Sequence, residues 1–255
     1  MQPLSADFPA YIGTAGWSLP RETWGAFPLE GTHLARYAAV FGAVEINSSF
    51  YRPHQSKTYE RWAASTPAQF RFAVKLPRTI THEARLHGID ELLARFAAEA
   101  GALGGKLGAV LVQLPPSLAL ETPAAGALFD ALHERLGCMI ACEARHASWF
   151  TPGATELLRQ SGVTRVLADP VVGYTGPFEP TTQPAYVRLH GNPRIYYSRY
   201  PLERMHEVRA WLARHPASWC ILDNTASGAA TANALEMLGL PAPPDQAASP
   251  ESRER

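Results

Sequence analysis

A chain of 255 residues, 46% hydrophobic and 18% charged, can bury a sizeable core, as one barrel or as two ordinary domains. Its 23 Lys plus Arg balance 23 Asp plus Glu, which argues against extended nucleic-acid tracking and against an acidic disordered chain. Cys138, Cys142 and Cys220 are odd in number and lack C-x-x-C spacing, so neither a disulfide framework nor a structural zinc site is expected, and a reducing cytoplasm is.

The chain opens on MQPLSADFPAYIG, which has neither a basic n-region nor an apolar h-region, and no window approaches the roughly 18 apolar residues of a membrane span. Residues 1–10 read as an extension. Short β-rich runs then recur at 11–17, 43–50, 71–78, 107–116, 139–146, 164–170, 185–191 and 218–225. Segments of helical period lie between most of them, at 33–41, 57–65, 90–103, 124–136, 155–162, 202–215 and 226–238. Thr122-Pro123 and Thr151-Pro152 place a capping hydroxyl before a first-turn proline, and Gly137 and Gly162 follow helix ends. The stretch VVGYTGPFEPTTQP between the sixth and seventh strands is too rich in Gly and Pro for a helix and predicts a long loop. Residues 241–255, PAPPDQAASPESRER from Pro241 onward, cannot bury enough apolar surface and read as a disordered tail.

Eight strand–helix units without a linker predict a single-domain α/β fold over residues 11–240, a (β/α)8 TIM barrel. The glycine-rich stretch at 101–110 resembles a phosphate loop only superficially, since Leu107 stands where Ser or Thr is required and the stretch precedes its strand.

In such a barrel the C-terminal strand ends converge on one mouth where chemistry sits. Those ends carry Gly16 and Trp17; Glu45, Asn47 and Ser49; Lys75 and Arg78; Gln113; Glu143, Arg145 and His146; Asp169; Arg188 and His190; and Asp223, Asn224 and Thr225. Alternate residues of a strand share a face, so Glu45 goes with Asn47 and Ser49, Glu143 with Arg145, Arg188 with His190, and Asp223 with Thr225. Buried charges of this kind must pair, and pairing shifts their pKa values.

The runs IGTAGWS, VEINSSFYR, FAVKLPRTITH, KLGAVLVQLPPS, CEARHASW, YVRLHG and DNTASGAATANA resemble, in order and spacing, the motifs of the DUF72 or YecE-like (UPF0759) family. That resemblance covers residues 11–240 and implies a TIM barrel related in fold to sugar isomerases, with no established reaction. Ala26 and Leu29 depart from an aromatic-proline pattern near the GWS motif, away from the strand ends.

The expected function is acid/base chemistry, isomerase- or hydrolase-like, on a small polar substrate with a sugar or phosphate part. Glu143 is the expected proton-transfer group, tuned by Lys75 and Asp223. Lys75 is also a candidate Schiff-base nucleophile, although a lysine beside carboxylates is more often their charge partner. Trp17, Asn47, Arg145, Arg188, His190, Asn224, Tyr196 and Tyr197 are the expected substrate-binding residues, the tyrosines lying in the loop GNPRIYYSRYP with Arg194 and Arg199. Arg188, His190, Asn224 and the backbone near Ser227-Gly228 form an expected anion corner at the last helix. Glu143, Asp169 and Asp223 are the set that would hold a divalent ion such as magnesium, but no H-x-H or H-E-x-x-H spacing supports it, and the default expectation is no metal and no cofactor. The alternative is a non-catalytic module that binds a metabolite or a single-stranded nucleotide in the same pocket. A scaffold whose mouth charges only close the barrel is the third reading. Oligomeric state does not follow from the sequence.

Overall fold

The computed structural model describes residues 9–172 and 179–239. Among the described residues there are nine strands, all paired in parallel: β1 (Tyr11–Thr14), β2 (Ala43–Ile46), β3 (Arg71–Lys75), β4 (Leu107–Gln113), β5 (Met139–Glu143), β6 (Thr164–Arg165), β7 (Leu167–Asp169), β8 (Tyr186–Leu189) and β9 (Trp219–Leu222). Between them run α1 (His33–Ala38), α2 (Ser48–Tyr51), α3 (Ser56–Ala64), α4 (Asp90–Ala100), α5 (Thr122–Arg135), α6 (Pro152–Gln160), α7 (Leu202–Ala213) and α8 (Ala229–Met237). The alternation predicts this order well, missing only short elements such as α2 and a π-helical turn at Thr79–Glu83.

The strands form two sheets, ordered β2-β3-β4-β5-β6 and β1-β9-β8-β7, rather than one continuous ring. Each seam has a physical cause. At the first, the Tyr37 hydroxyl takes the place of a backbone ladder, accepting from Thr14 N at 2.8 Å and donating to Ala43 O at 3.0 Å. Gly13 permits this closeness, since a Cβ there would stand 2.1 Å from Ala43 O. Past Tyr37, β1 and β2 meet through a parallel bridge between Ala15 and Glu45. At the second seam, the expected strand at 164–170 changes partner: the Val166 N–H still continues the β5–β6 ladder to Cys142 O at 3.0 Å, and from Leu167 onward the backbone pairs with β8 instead.

Thr151 caps α6 through Ala154 N, whereas Thr122 lies inside α5 and caps nothing. Gly162 adopts φ 64° after α6, and Gly137 follows α5 without a left-handed turn. Residues 171–172 and 179–184 of the expected loop carry neither helix nor strand; its remainder and the 241–255 tail lie outside the described residues. Among the described residues no helix is long and apolar enough to cross a membrane.

Period two sorts the strand residues into two cores. Val44, Val74, Val112, Ile140, Leu189 and Leu222 face the helices. Ala43, Ala73, Ala109, Ala141, Val166, Tyr186, Trp219 and Ile221, drawn from both sheets, form a second cluster between them. Continuing that inner face by two residues gives Glu45, Lys75, Glu143, Arg188 and Asp223. A layer of small and aromatic side chains is thus followed by a layer of charges, all of them buried.

Candidate functional site

Arg188 occupies the centre of this charged layer, with no exposed surface. Its Nε and Nη2 donate to the two oxygens of Glu45 at 3.0 and 2.7 Å, in the fork geometry that favours carboxylates. Nη1 donates to Glu143 Oε2 at 2.6 Å and Nη2 to Asp223 Oδ2 at 3.1 Å. Tyr186, two residues before Arg188 on the same face, donates its hydroxyl to Glu45 Oε2 at 2.8 Å. Three carboxylates therefore converge on one guanidinium.

A single cation cannot neutralise three anions, and two more complete the set. Arg145 donates to Glu143 Oε1 from Nη2 at 2.8 Å and Nε at 3.1 Å. His190 places Nδ1 2.9 Å from Asp223 Oδ2 and Nε2 3.2 Å from Glu143 Oε1. The second contact is close but poorly aligned, so Nε2 is left without a proper hydrogen bond and the interaction is ionic. Burial opposes charge on His190, but the Glu143 charge and the bond to Asp223 outweigh it and raise its pKa. With His190 protonated, Arg188, Arg145 and His190 match Glu45, Glu143 and Asp223 three to three.

This balance fixes the state of the carboxylates. Burial pushes the Glu143 carboxyl up, yet Arg188, His190 and Arg145 together hold it well below the usual carboxylate range. Asp223 is also lowered, burial being overcome by Arg188 and His190. Glu143, expected to carry protons, is held in its ionised form by three cations, and a carboxylate so stabilised is a weak base.

Lys75 is the surplus cation. It is 8% exposed, its Nζ lies 4.2 Å from the centre of the Phe50 ring, and no carboxylate among the described residues pairs with it. Burial and the Arg188 charge lower its pKa to about 8, against partial compensation from Glu45, Glu143 and Asp223. His82, stacked edge-on against Phe50 at 5.0 Å, is pushed down by burial and by Lys75.

Of the other expected site residues, Asn47 reaches the cluster, donating to Asp223 Oδ1 at 3.4 Å, and its Oδ1 is buried without a partner. Tyr196 lies beside the cluster: the ring meets His190 edge-on at 5.9 Å, and its backbone is left-handed with a φ of 70°. Trp17 instead packs edge-on against Trp62 of α3, and the exposed Tyr197 carries Arg194 over its face at 3.9 Å. Asn224 ties the loop down by donating to Ser198 O and Asn233 Oδ1.

The expected anion corner is filled from within. Arg188 makes four hydrogen bonds to carboxylates, and Ser227 Oγ is spent on Tyr197 O. The expected divalent-ion set is also separated, because Asp169 turns to Arg204 of α7 at 2.9 Å while Glu143 and Asp223 face Arg188. His146 serves as an N-cap, accepting from Ser148 N. Glu45 and Tyr186 are members of the charge network that the expected site residues leave out; the alternation Tyr186, Arg188, His190 was the signal for the latter.

Comparison with known proteins gives a consistent family. A family model described as "Protein of unknown function DUF72" matches residues 11–254. The UPF0759 protein YecE of Escherichia coli K12 is 33% identical over 165 residues, which cover 62% of this chain and 58% of that protein. The UPF0759 protein YunF of Bacillus subtilis is 28% identical over 56% of this chain and 52% of its own length. The match thus spans less than two thirds of each of these relatives. The crystal structure of a DUF72 family protein from Thermotoga maritima superposes with a TM-score of 0.73 at 27% identity, covering 89% of this chain and 97% of that one. One from Enterococcus faecalis gives 0.75 at 20% identity, over 91% and 96%, and speaks for the fold alone.

Proposed function

The chain belongs to the DUF72 family, and from that membership and the geometry above we propose that it is an enzyme performing acid/base chemistry, of the isomerase type, on a small hydroxylated substrate. The reaction would take place above the inner charged layer of a closed (β/α)8 barrel. Closure of the two sheets is supported by the Ala15–Glu45 bridge and by Val166, which alone separates β6 from β7. On this reading Lys75, not Glu143, moves the proton, and His190 is the donor on the opposite side of the charge network. Glu143, Glu45, Arg145 and Arg188 hold the two in place.

One observation carries the reading: the cluster satisfies three carboxylates with three cations and then adds a buried amine that none of them pairs. A scaffold that only needed to close its charges would have no use for Lys75, whose burial is unfavourable without a partner. Substituents of a small substrate would meet Asn47 Oδ1 and the Tyr196 ring.

The test is a thermal-shift screen of sugars, sugar acids and nucleosides, followed by turnover assays on each stabilising compound. Lys75→Arg should keep the charge and the fold while abolishing turnover. A compound that binds but is never converted would favour a metabolite-binding module, and full turnover by Lys75→Arg would overturn the assignment of the proton to Lys75.

A further inference from the structure

The 255-residue chain has three lysines, Lys57, Lys75 and Lys106, among 23 basic residues, so arginine supplies almost all of its positive charge. The three stand in different surroundings. Lys57 lies exposed in the first turn of α3. Lys106 donates to Ala63 O and Thr66 O, both at 2.6 Å, and to Thr66 Oγ1 at 3.1 Å, so its ammonium ties α3 to the turn before β4. Lys75 is buried against an aromatic face, with no oxygen acceptor for its ammonium among the described residues.

Proton transfer does not by itself require this arrangement, because a carboxylate or an imidazole performs it with less desolvation. An unpaired amine does something those groups cannot, which is to form a carbon–nitrogen double bond with a carbonyl. We propose that Lys75 forms an imine with the carbonyl carbon of a short hydroxylated aldehyde or ketone, the open-chain form of a sugar or a close relative. This rests on the reading of Lys75 as the reactive group at the mouth and names its substrate class.

The step balances without any oxidant or reductant. The lone pair of the neutral amine attacks the carbonyl carbon, the carbonyl π electrons move to oxygen, and a carbinolamine results. The carbon–oxygen bond then breaks and the oxygen leaves as water, carrying the two protons that Nζ gives up. Protonation of the imine nitrogen yields a cation that draws electrons from the neighbouring carbon and lowers the barrier to removing its proton. Water takes that proton and returns it to the other face of the same carbon; water then adds to the iminium carbon and the carbon–nitrogen bond breaks, which returns the neutral amine and the carbonyl compound epimerised at the neighbouring carbon.

The surroundings suit each stage. The three nearby carboxylates are claimed by Arg188, Arg145 and His190, so none holds the ammonium form in place. With its pKa near 8, about a tenth of Lys75 is neutral at pH 7, against fewer than one in a thousand for an ordinary lysine. The Phe50 ring 4.2 Å away stabilises the iminium cation by the same attraction that it offers the ammonium. His190, held between Glu143 and Asp223, is the buried acid of the same charged layer and would protonate the departing oxygen.

The experiment is reductive trapping. The full chain is incubated separately with glyceraldehyde and with dihydroxyacetone in sodium cyanoborohydride at pH 7.5, and adducts are located by peptide mapping. The expected result is modification of Lys75 at least about tenfold faster than of Lys57 or Lys106, because lysine reactivity follows the neutral fraction; the terminal amine, whose ordinary pKa is also near 8, is the internal reference for a reactive amine. Lys75→Met and Lys75→Arg should lose that adduct alone, their folding being checked by circular dichroism. Equal labelling of all amines, or labelling confined to Lys57 and the terminus, overturns the imine. If trapping fails while Lys75→Arg still abolishes turnover of a screened compound, proton transfer by Lys75 stands and covalent catalysis falls.

Discussion

Replacing Glu143 with Gln tests whether this residue is a strut of the charge network. The side chain is 3% exposed and meets Arg188 at 2.6 Å, Arg145 at 2.8 Å and His190 at 3.2 Å. The neutral amide leaves two carboxylates facing three cations, and its NH2 must point at one guanidinium while its oxygen serves the other. Breaking a buried pair by removing one partner costs about 3–5 kcal/mol. Arg145, 17% exposed, can turn part of its charge to water, so the lower end of that range is expected. For a domain of this length each kcal/mol moves the Tm by roughly 2–4 °C, which gives a fall of about 6–12 °C for about 3 kcal/mol. Differential scanning calorimetry at pH 7 measures it directly. Glu134→Gln, at a side chain 80% exposed, is the control and should stay within about 0.5 kcal/mol. A Tm change below about 2 °C for Glu143→Gln, together with lost turnover, would refute the strut and restore Glu143 as the proton carrier.

Stability should depend on pH in two senses. Glu143 and Asp223 are lowered, so their contribution is present above the ordinary carboxylate range near 4 and is lost as pH falls through their folded values; urea midpoints should drop steeply below that range. His190 is raised, so its contribution is complete below about 6.5 and fades as pH rises through its folded value, a slope that His190→Gln should remove. Gly13→Ala should abolish soluble folded protein, because its Cβ would lie 2.1 Å from Ala43 O on backbone that has nowhere to move. Expression followed by gel filtration decides it, and a folded monomer at wild-type yield would contradict the close approach.

Much of the architecture was legible because strand and helix repeat with different periods. That Glu45, Lys75, Glu143, Arg188 and Asp223 stand at strand ends was legible in the sequence, whereas the alanine layer beneath them, Ala43, Ala73 and Ala141, emerges from the structure. What alternation does not encode is partnership. That Arg188 is saturated by Glu45, Glu143 and Asp223 depends on which strands face one another, so Arg188 read as free to bind an anion when it is the anchor of the network. Asp169 shares a strand end with the others in sequence terms, yet it turns outward to Arg204 on α7. The division at Val166 was hidden because TRVLADP reads as one β-rich run, and which neighbour each half pairs with is not written in it. Tyr37, a helical residue by pattern, closes a strand seam through a hydroxyl that no local signal marks.

Everything proposed for the mouth depends on Lys75 being a buried amine with no carboxylate partner among the described residues. With three lysines in the chain, side-chain 15N resonances can be assigned by single Lys→Arg substitutions and followed from pH 6 to pH 11. The account predicts a Lys75 midpoint of about 8, with stability relative to Lys75→Met rising between that value and the ordinary 10.5 as the folded-state penalty is relieved. That gain is on the order of 3 kcal/mol at most. A Lys75 midpoint at or above 10.5 would mean that a carboxylate holds the ammonium after all, and the amine would have no chemistry to offer.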